Sequence, residues 1–147
     1  MTGNILGNLY PKFKDKKCKA FVRDWRVQCK HNYYYPDVVI DCDSTRNENQ
    51  VGQPVVIFEV LSESIRAVDL TIKLNGYRQI STLEAYILVE QNLRTVTIYR
   101  SEDNWKAETF VQADDVITLP CVDTTLSLVD IYADVALEIP KKTFQAA

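Results

Sequence analysis

Two short apolar segments, each associated with a carboxylate, constrain the fold of this chain more than any other feature. Residues 38–42 and 55–61 are apolar and bounded by turn-forming residues, a pattern typical of strands buried on both faces. The polar segment between them, residues 43–54, predicts a hairpin or a crossover loop. Asp37 precedes the first strand and Glu59 lies inside the second. Each carboxylate should therefore be paired or bound to a cation, because burying an unpaired charge is costly.

An antiparallel hairpin of these two strands would bring the two carboxylates together. If the hairpin is centred on Glu48, Asp37 lies directly opposite Glu59, with Cα atoms about 4.5–5.5 Å apart. Two like charges at that separation repel each other unless a cation lies between them or one of them is protonated. All-oxygen ligation of this kind suits Mg²⁺ or Mn²⁺ better than zinc.

The segment that follows predicts a helix that carries a cation toward this pair. Residues 63–80 show apolar residues at helical spacing, and Asp69, Lys73 and Tyr77 within them are spaced i, i+4, i+8. That spacing places the three side chains on one stripe of a helix. Leu61 shares the strand face of Glu59 but offers no polar group, so Lys73 is the cation we expect beside the carboxylates.

A purely structural interpretation of the same residues is open at this point. Asp37 would then cap a turn, and Glu59 would pair with an arginine in a core network. Asp69 and Lys73 would form a surface ion pair worth a few tenths of a kcal/mol. Ion-pair networks of this kind occupy the same positions as functional sites do.

The remaining pattern predicts one α/β domain of the α+β type, with a mixed, mostly antiparallel sheet flanked by helices. An amphipathic helix begins the chain and is interrupted at Pro11. The other predicted elements are strands at 20–28, 86–89, 94–100 and 105–111 and a short closing helix at 126–134. The length of 147 residues fits a single domain, which we assign to residues 1–139, with a frayed tail at residues 140–147.

Charge is unevenly distributed along the chain. Residues 1–31 carry eight basic and two acidic side chains, a net charge of +6, and the remainder carries nine and eighteen, a net charge of −9. A basic segment attracts polyanions such as nucleic acid, and a solvated helix face with an edge strand explains the same pattern.

No membrane span or signal peptide is visible, which predicts a cytoplasmic protein. The four cysteines form no C-x-x-C pair, which argues against zinc and predicts four reduced thiols.

Five ordered motifs resemble one known family. They are YPDVVI at residues 35–40, FEVLS at 58–62, D-x-x-x-K-x-x-x-Y at 69–77, YILVEQ at 86–91 and TLSL at 125–128. In this order the chain resembles the Uma2 family of restriction endonuclease-like proteins, within the PD-(D/E)xK nuclease superfamily. The resemblance implies a restriction-endonuclease-like core and a Mg²⁺-dependent endonuclease that hydrolyses DNA phosphodiester bonds, with Mn²⁺ as a possible substitute.

The resemblance also implies a role for individual residues. Asp37 matches the aspartate of the superfamily motif and Glu59 matches its second acid, so these two would hold the metal. Leu61 stands where the superfamily usually has lysine, and Lys73 would be the migrated lysine that assists attack by water. Secondary site residues implied by the same comparison are Asp69, Tyr77 and Arg66.

Departures from the family pattern keep an alternative function open. The family's additional acidic residue before the first helix, and a His near that helix's start, have no counterpart here, and Ala85 stands where relatives often have Glu. The alternative is a catalytically inactive nuclease-fold module that binds nucleic acid or a protein partner. For the enzyme, symmetric cleavage of duplex DNA would favour a homodimer.

Overall fold

The computed structural model describes residues 1–42, 49–62 and 67–138, with the side chains of residues 67 and 68 excluded. Within these ranges the chain forms three α-helices and ten strands. The helices are α1 Thr2–Leu9, α2 Ala67–Tyr77 and α3 Leu128–Ile131. The strands are β1 Lys19–Val22, β2 Val27–Cys29, β3 Asn32–Tyr34, β4 Val38–Asp41, β5 Pro54–Leu61, β6 Ala85–Glu90, β7 Val96–Arg100, β8 Ala107–Phe110, β9 Val116–Leu119 and β10 Thr124–Ser127.

A six-stranded sheet in the order β1-β4-β5-β6-β7-β8 forms the centre of the fold. Every neighbouring pair is antiparallel except β5 and β6. A parallel pair needs a long crossover connection between its strands, and the segment that contains α2 provides one between β5 and β6. The pairs β2–β3 and β9–β10 form two separate two-stranded sheets. The prediction of a mixed, mostly antiparallel sheet flanked by helices is therefore confirmed.

Each face of the central sheet is covered by a different set of elements. On one face, Ile5 and Leu9 of α1 pack with Val38 and Phe58 of the sheet, and this cluster extends to β9, β10 and α3. On the other face, a second cluster joins the β2–β3 hairpin and α2 to the sheet through Val27, Cys29, Val39, Ile57, Tyr77 and Tyr86. Since side chains alternate along a strand, Val39, Ile57 and the residues that share their parity in the regular part of the ladder face α2.

The N-terminal helix confirms the prediction from its periodicity. Ile5 and Leu9 are fully buried, and α1 gives way to a short 3-10 helix, Tyr10–Phe13, that contains Pro11. Proline fits the first turn of a helical segment because its missing N–H has no acceptor there.

Several predicted elements have different bounds in the structure. The single strand expected at residues 20–28 is two strands, β1 and β2, separated by a turn at Arg23 and Asp24. The hairpin β9–β10 was not predicted, because its four-residue strands alternate buried and exposed positions too briefly to stand out. The closing helix is shorter than expected and begins after Ser127, whose hydroxyl accepts a hydrogen bond from the Asp130 N–H at 3.2 Å.

The prediction of four reduced cysteines is wrong for one pair. Cys18 and Cys42 form a disulfide, whereas Cys29 and Cys121 are free thiols. The physical reason is the register of β1 and β4, in which Lys19 pairs with Asp41. One step further along the same ladder, Cys18 stands opposite Cys42.

Some predictions fall on residues that the structure does not describe. These are Arg66, residues 43–48 of the loop at 43–54, the start of the predicted helix at 63–80 and the tail at 140–147. Of the helices in the described ranges, none combines the length and apolar character needed to cross a membrane.

Candidate active site

The hairpin of β4 and β5 brings Asp37 and Glu59 to the same edge of the sheet. Val38 pairs with Phe58, Val39 with Ile57 and Ile40 with Val56. One step beyond Val38 in this register places Asp37 opposite Glu59, which confirms the pairing predicted from the sequence. Both residues have the parity of Val39 and Ile57, so they lie on the sheet face that α2 covers.

The Asp37 carboxylate is held by one backbone and one side-chain donor. Its Oδ2 accepts a hydrogen bond from the Val60 N–H at 2.7 Å, and its Oδ1 accepts one from Arg23 Nε at 2.9 Å. The Asp37 side chain is only 14% exposed, whereas the Arg23 side chain is 68% exposed. Arg23 therefore leaves most of its guanidinium in solvent beside a carboxylate that is fixed in place.

Sequence reasoning missed Arg23 as a site residue, although a signal was present. The β1–β4 register pairs Phe21 with Val39 and Val22 with Val38. The next step places Arg23 opposite Asp37. The alternation of Phe21, Arg23 and Trp25 indicated one strand face, but only the strand order shows which face that is.

Glu59 is more deeply buried and has two side-chain partners on α2. Its side chain is 7% exposed, and the Lys73 Nζ lies 3.4 Å from Oε2. The Tyr77 hydroxyl donates to Oε1, also at 3.4 Å. Burial raises the pKa of the Glu59 carboxyl, the nearby Lys73 ammonium lowers it, and the Asp37 carboxylate raises it again. Both contacts are at the long end of the hydrogen-bond range, so this carboxylate retains capacity for a cation.

A cluster of tyrosines forms the floor of the site. The Tyr77 ring lies 5.0 Å from that of Tyr86 and 5.3 Å from that of Tyr34. Tyr77 and Tyr86 are fully buried. Among the described residues, the Tyr86 hydroxyl is the one buried side-chain polar atom without a hydrogen-bond partner. Burial and the negative charge of Glu59 raise the pKa of Tyr86, so this hydroxyl is a neutral donor next to the carboxylates.

Comparison with known proteins places the chain in a family. The model of the Uma2 family, described as "Putative restriction endonuclease", matches residues 1–131. The chain belongs to the Uma2 family.

Two relatives of this Uma2 chain show how far the likeness extends. It is 30% identical over 106 residues to an uncharacterised protein of Synechocystis, a match that covers 68% of this chain and 60% of the relative. The chain thus spans less than two thirds of that relative's length. The crystal structure of a putative nuclease belonging to DUF820, from Anabaena variabilis, superposes with a TM-score of 0.75 at 19% identity, and the match covers 89% of this chain and 77% of the other. This match shows that the two proteins share a fold.

The structure brings together four of the six site residues predicted for this Uma2 protein. Asp37 and Glu59 share one sheet edge, and Lys73 and Tyr77 reach Glu59 from α2. Asp69 is exposed and lines an open cavity beside Lys73. The sixth, Arg66, lies outside the described residues.

The structural interpretation agrees with the structure in that both carboxylates have a basic partner, Arg23 for Asp37 and Lys73 for Glu59, and differs in the partners it expected. Lys73 pairs with Glu59, where that interpretation expected an arginine, and the ion pairs seen within the described ranges leave Asp69 out.

The donor set of the site fits a hard divalent cation with few protein ligands. Within residues 1–42, 49–62 and 67–138, no group of three or more His, Cys, Asp or Glu side chains could hold a metal ion. Mg²⁺ is commonly bound by one or two carboxylates together with water and substrate phosphates. The Asp37 and Glu59 pair offers such a set.

Proposed function

We propose that this Uma2 protein is a metal-dependent endonuclease that hydrolyses DNA phosphodiester bonds. The observation that carries the proposal is the opposition of Asp37 and Glu59 on one sheet edge, with the Lys73 ammonium 3.4 Å from Glu59. Two carboxylates and a lysine at one edge supply metal ligands and a cation for a phosphate group. The family description and the shared nuclease fold support the same reaction class.

Asp37 and Glu59 would hold Mg²⁺, or Mn²⁺ in its place. When bound, the ion would polarise the scissile phosphate and lower the pKa of an attacking water. Asp37 suits this role because the Val60 N–H and Arg23 fix its carboxylate. Tyr77 and Lys73 orient Glu59 in the same way from α2.

Lys73 and Arg23 would act on the substrate phosphate. Lys73 is 31% exposed at its side chain, so its ammonium faces both Glu59 and solvent. There it can orient the attacking water and stabilise the charge that develops on the phosphate oxygens. The exposed guanidinium of Arg23 can contact a neighbouring phosphate, in keeping with the net charge of +6 over residues 1–31.

Plasmid nicking tests the proposal. Supercoiled DNA is incubated with wild type, Asp37→Asn and Lys73→Met in Mg²⁺, in Mn²⁺ and in EDTA. We expect metal-dependent nicking by wild type and a loss of at least about 100-fold in each variant. Matched controls are Asp103→Asn and Lys106→Met, which change exposed residues of the β7–β8 connection and should nick like wild type. Equal nicking by all five proteins, or none by wild type, would overturn the proposal.

The second candidate function is a catalytically inactive module that binds nucleic acid. The observation that favours it is the two-carboxylate site, since the described residues provide no third acidic ligand. This candidate expects DNA binding without cleavage, with an affinity that falls linearly on a log–log plot against salt concentration. It fails if wild type nicks DNA in Mg²⁺ and Asp37→Asn does not.

For cleavage of duplex DNA we propose a homodimer, because two sites related by a two-fold axis can cut the two strands symmetrically. Light scattering coupled to gel filtration, with and without DNA, measures the oligomeric state. A protein that stays monomeric on DNA yet cuts both strands would contradict the dimer.

A further inference from the structure

An open cavity of about 250 Å³ lies beside the Glu59–Lys73 pair. Four residues line it: Tyr34 of β3 and Asp69, Ile72 and Lys73 of α2. Lys73 belongs both to this cavity and to the candidate metal site, so the cavity and the metal site meet at this side chain. The role of Lys73 in hydrolysis does not use the rest of this cavity.

The aromatic wall of the cavity is held in place before any ligand arrives. Tyr34 pairs with Val27 in the β2–β3 hairpin, and its ring meets the Tyr77 ring edge-on at 5.3 Å between centroids. The Lys73 Nζ lies 5.8 Å from the centre of the Tyr34 ring, within the range of a cation–π contact. Because these contacts fix the ring, a ligand that stacks on it loses little free energy in ordering it.

Ile72 also lines the cavity and is unusually exposed for an aliphatic side chain. It is 54% accessible, although it lies in the middle of α2. A flat apolar ligand in the cavity could contact both the Tyr34 ring and this side chain. The Lys73 ammonium, which lies over the Tyr34 ring, would bring a positive charge to the same ligand.

We propose that this cavity binds the unstacked base of a nucleotide next to the scissile phosphate, so that the preferred substrate is single-stranded nucleic acid. The inference rests on the proposed function for the position of the phosphate. A base stacks on an aromatic ring whatever its sequence, and its own phosphate carries the charge that Lys73 attracts. Bases inside a duplex are stacked on each other and do not present their faces to a cavity of this kind.

Asp69 adds a preference among bases. Its carboxylate lines the cavity and would repel a phosphate, but it accepts hydrogen bonds from the exocyclic amino groups of adenine, cytosine and guanine. Thymine and uracil lack that group, so they should bind less well at this position. Asp69→Asn should reduce the difference between cytosine and thymine.

Binding without divalent metal tests the inference independently of catalysis. The full chain is titrated in EDTA into a fluorescein-labelled 12-nucleotide strand and into the duplex of the same sequence, and anisotropy is measured. We expect wild type to bind the single strand at least about tenfold more tightly, and an abasic site at one position to remove about tenfold of that affinity. Tyr34→Phe should bind like wild type, and Tyr34→Ala should lose about tenfold and become insensitive to the abasic site.

Two further variants decide the result even if Tyr34→Ala fails to fold. Ile72→Asp changes an exposed residue of the same cavity and should lose a similar factor. Tyr33→Ala changes the neighbouring exposed tyrosine of β3, which does not line the cavity, and should bind like wild type. Equal affinity for strand and duplex, no abasic effect, or equal losses in the Tyr33 and Ile72 variants would overturn the inference.

These outcomes are distinct from the failure of the proposed function. A chain that stacks a base but never nicks DNA in Mg²⁺ supports the cavity assignment and contradicts the endonuclease. A chain that nicks duplex plasmid and shows no single-strand preference supports the endonuclease and contradicts the cavity assignment.

Discussion

Replacing Lys73 with methionine removes the positive charge that accompanies the buried Glu59 carboxylate. Methionine keeps the unbranched apolar part of the lysine, so the change acts mainly on the charge. In the native protein the two charged atoms are 3.4 Å apart, and the side chains of Lys73 and Glu59 are 31% and 7% exposed. The variant therefore leaves a nearly buried carboxylate with Tyr77 as its remaining side-chain partner among the described residues.

The expected loss of stability at neutral pH is about 2 kcal/mol. Coulomb's law at an effective dielectric constant of about 20 gives roughly 5 kcal/mol for charges at this separation. The variant no longer incurs the desolvation cost of the partly buried Lys73 ammonium, which offsets part of this loss. The net effect therefore lies between the values of about 0–1 kcal/mol for surface pairs and about 3–5 kcal/mol for buried ones. For a domain of this size, a loss of about 2 kcal/mol lowers the melting temperature by about 4–8 °C.

The loss should depend on pH in a definite direction. Burial already raises the pKa of Glu59 and Lys73 lowers it, so removing Lys73 raises the folded-state pKa further above that of the unfolded chain. At pH values below the unfolded pKa, Glu59 is protonated in both proteins and their stabilities should nearly coincide. The difference grows as pH rises from the folded pKa of wild type to the higher folded pKa of the variant, because only in wild type is Glu59 already ionised over that range. Above the variant's folded pKa the difference keeps its full value.

Chemical denaturation at a series of pH values from 4 to 8 measures this difference. The matched control is the double variant Lys73→Met with Glu59→Gln, which should show little of the pH dependence because the titrating group is gone. A loss that is the same at pH 4 and pH 8, or that persists undiminished in the Glu59→Gln background, would refute the charge pairing.

Three other changes give further expected results. Tyr86→Phe removes a buried hydroxyl that has no partner among the described residues. Thermal denaturation should therefore show unchanged stability or a gain of up to about 1 kcal/mol. A loss of about 1 kcal/mol would contradict the absence of a partner. Reducing the disulfide between Cys18 and Cys42, which are 24 positions apart, should lower the free energy of unfolding by about 3 kcal/mol. A Cys18→Ser variant cannot form this disulfide, so it should melt at the same temperature with and without reductant. Arg23→Ala should change stability by less than about 1 kcal/mol because the Arg23 side chain is largely exposed. It should also reduce the slope of log affinity for DNA against log salt concentration by about 1. An unchanged slope would show that Arg23 does not contact a phosphate.

The hairpin that builds the site could be predicted from the sequence because its two strands are apolar and their register is specified by burial. A shift of one residue between β4 and β5 would move Asp37 or Glu59 to the other face of the sheet and expose their apolar neighbours. The observed pairing of Val39 with Ile57 is the one that the sequence predicts. Lys73 and Tyr77 could be predicted from helical periodicity, since their spacing places both on one stripe of α2.

What the sequence could not supply depends on strand order and on small elements. Arg23 lies beside Asp37 because β1 pairs with β4, and no local pattern shows that pairing. The same pairing forms the disulfide of Cys18 and Cys42. The cavity beside Lys73 needs Tyr34 from the β2–β3 hairpin, whose three-residue strands are too short to show periodicity.

The most direct test of the site is the melting temperature of the protein as Mg²⁺ is added, compared between wild type and Glu59→Gln. A cation that binds the native site and not the unfolded chain stabilises the fold by about 1.4 kcal/mol at ten times its dissociation constant. For a domain of this size, wild type should therefore melt about 3–6 °C higher. Glu59→Gln lacks one of the two carboxylates and should show little or no shift. No shift in wild type, or an equal shift in both proteins, would contradict a divalent cation held by Asp37 and Glu59.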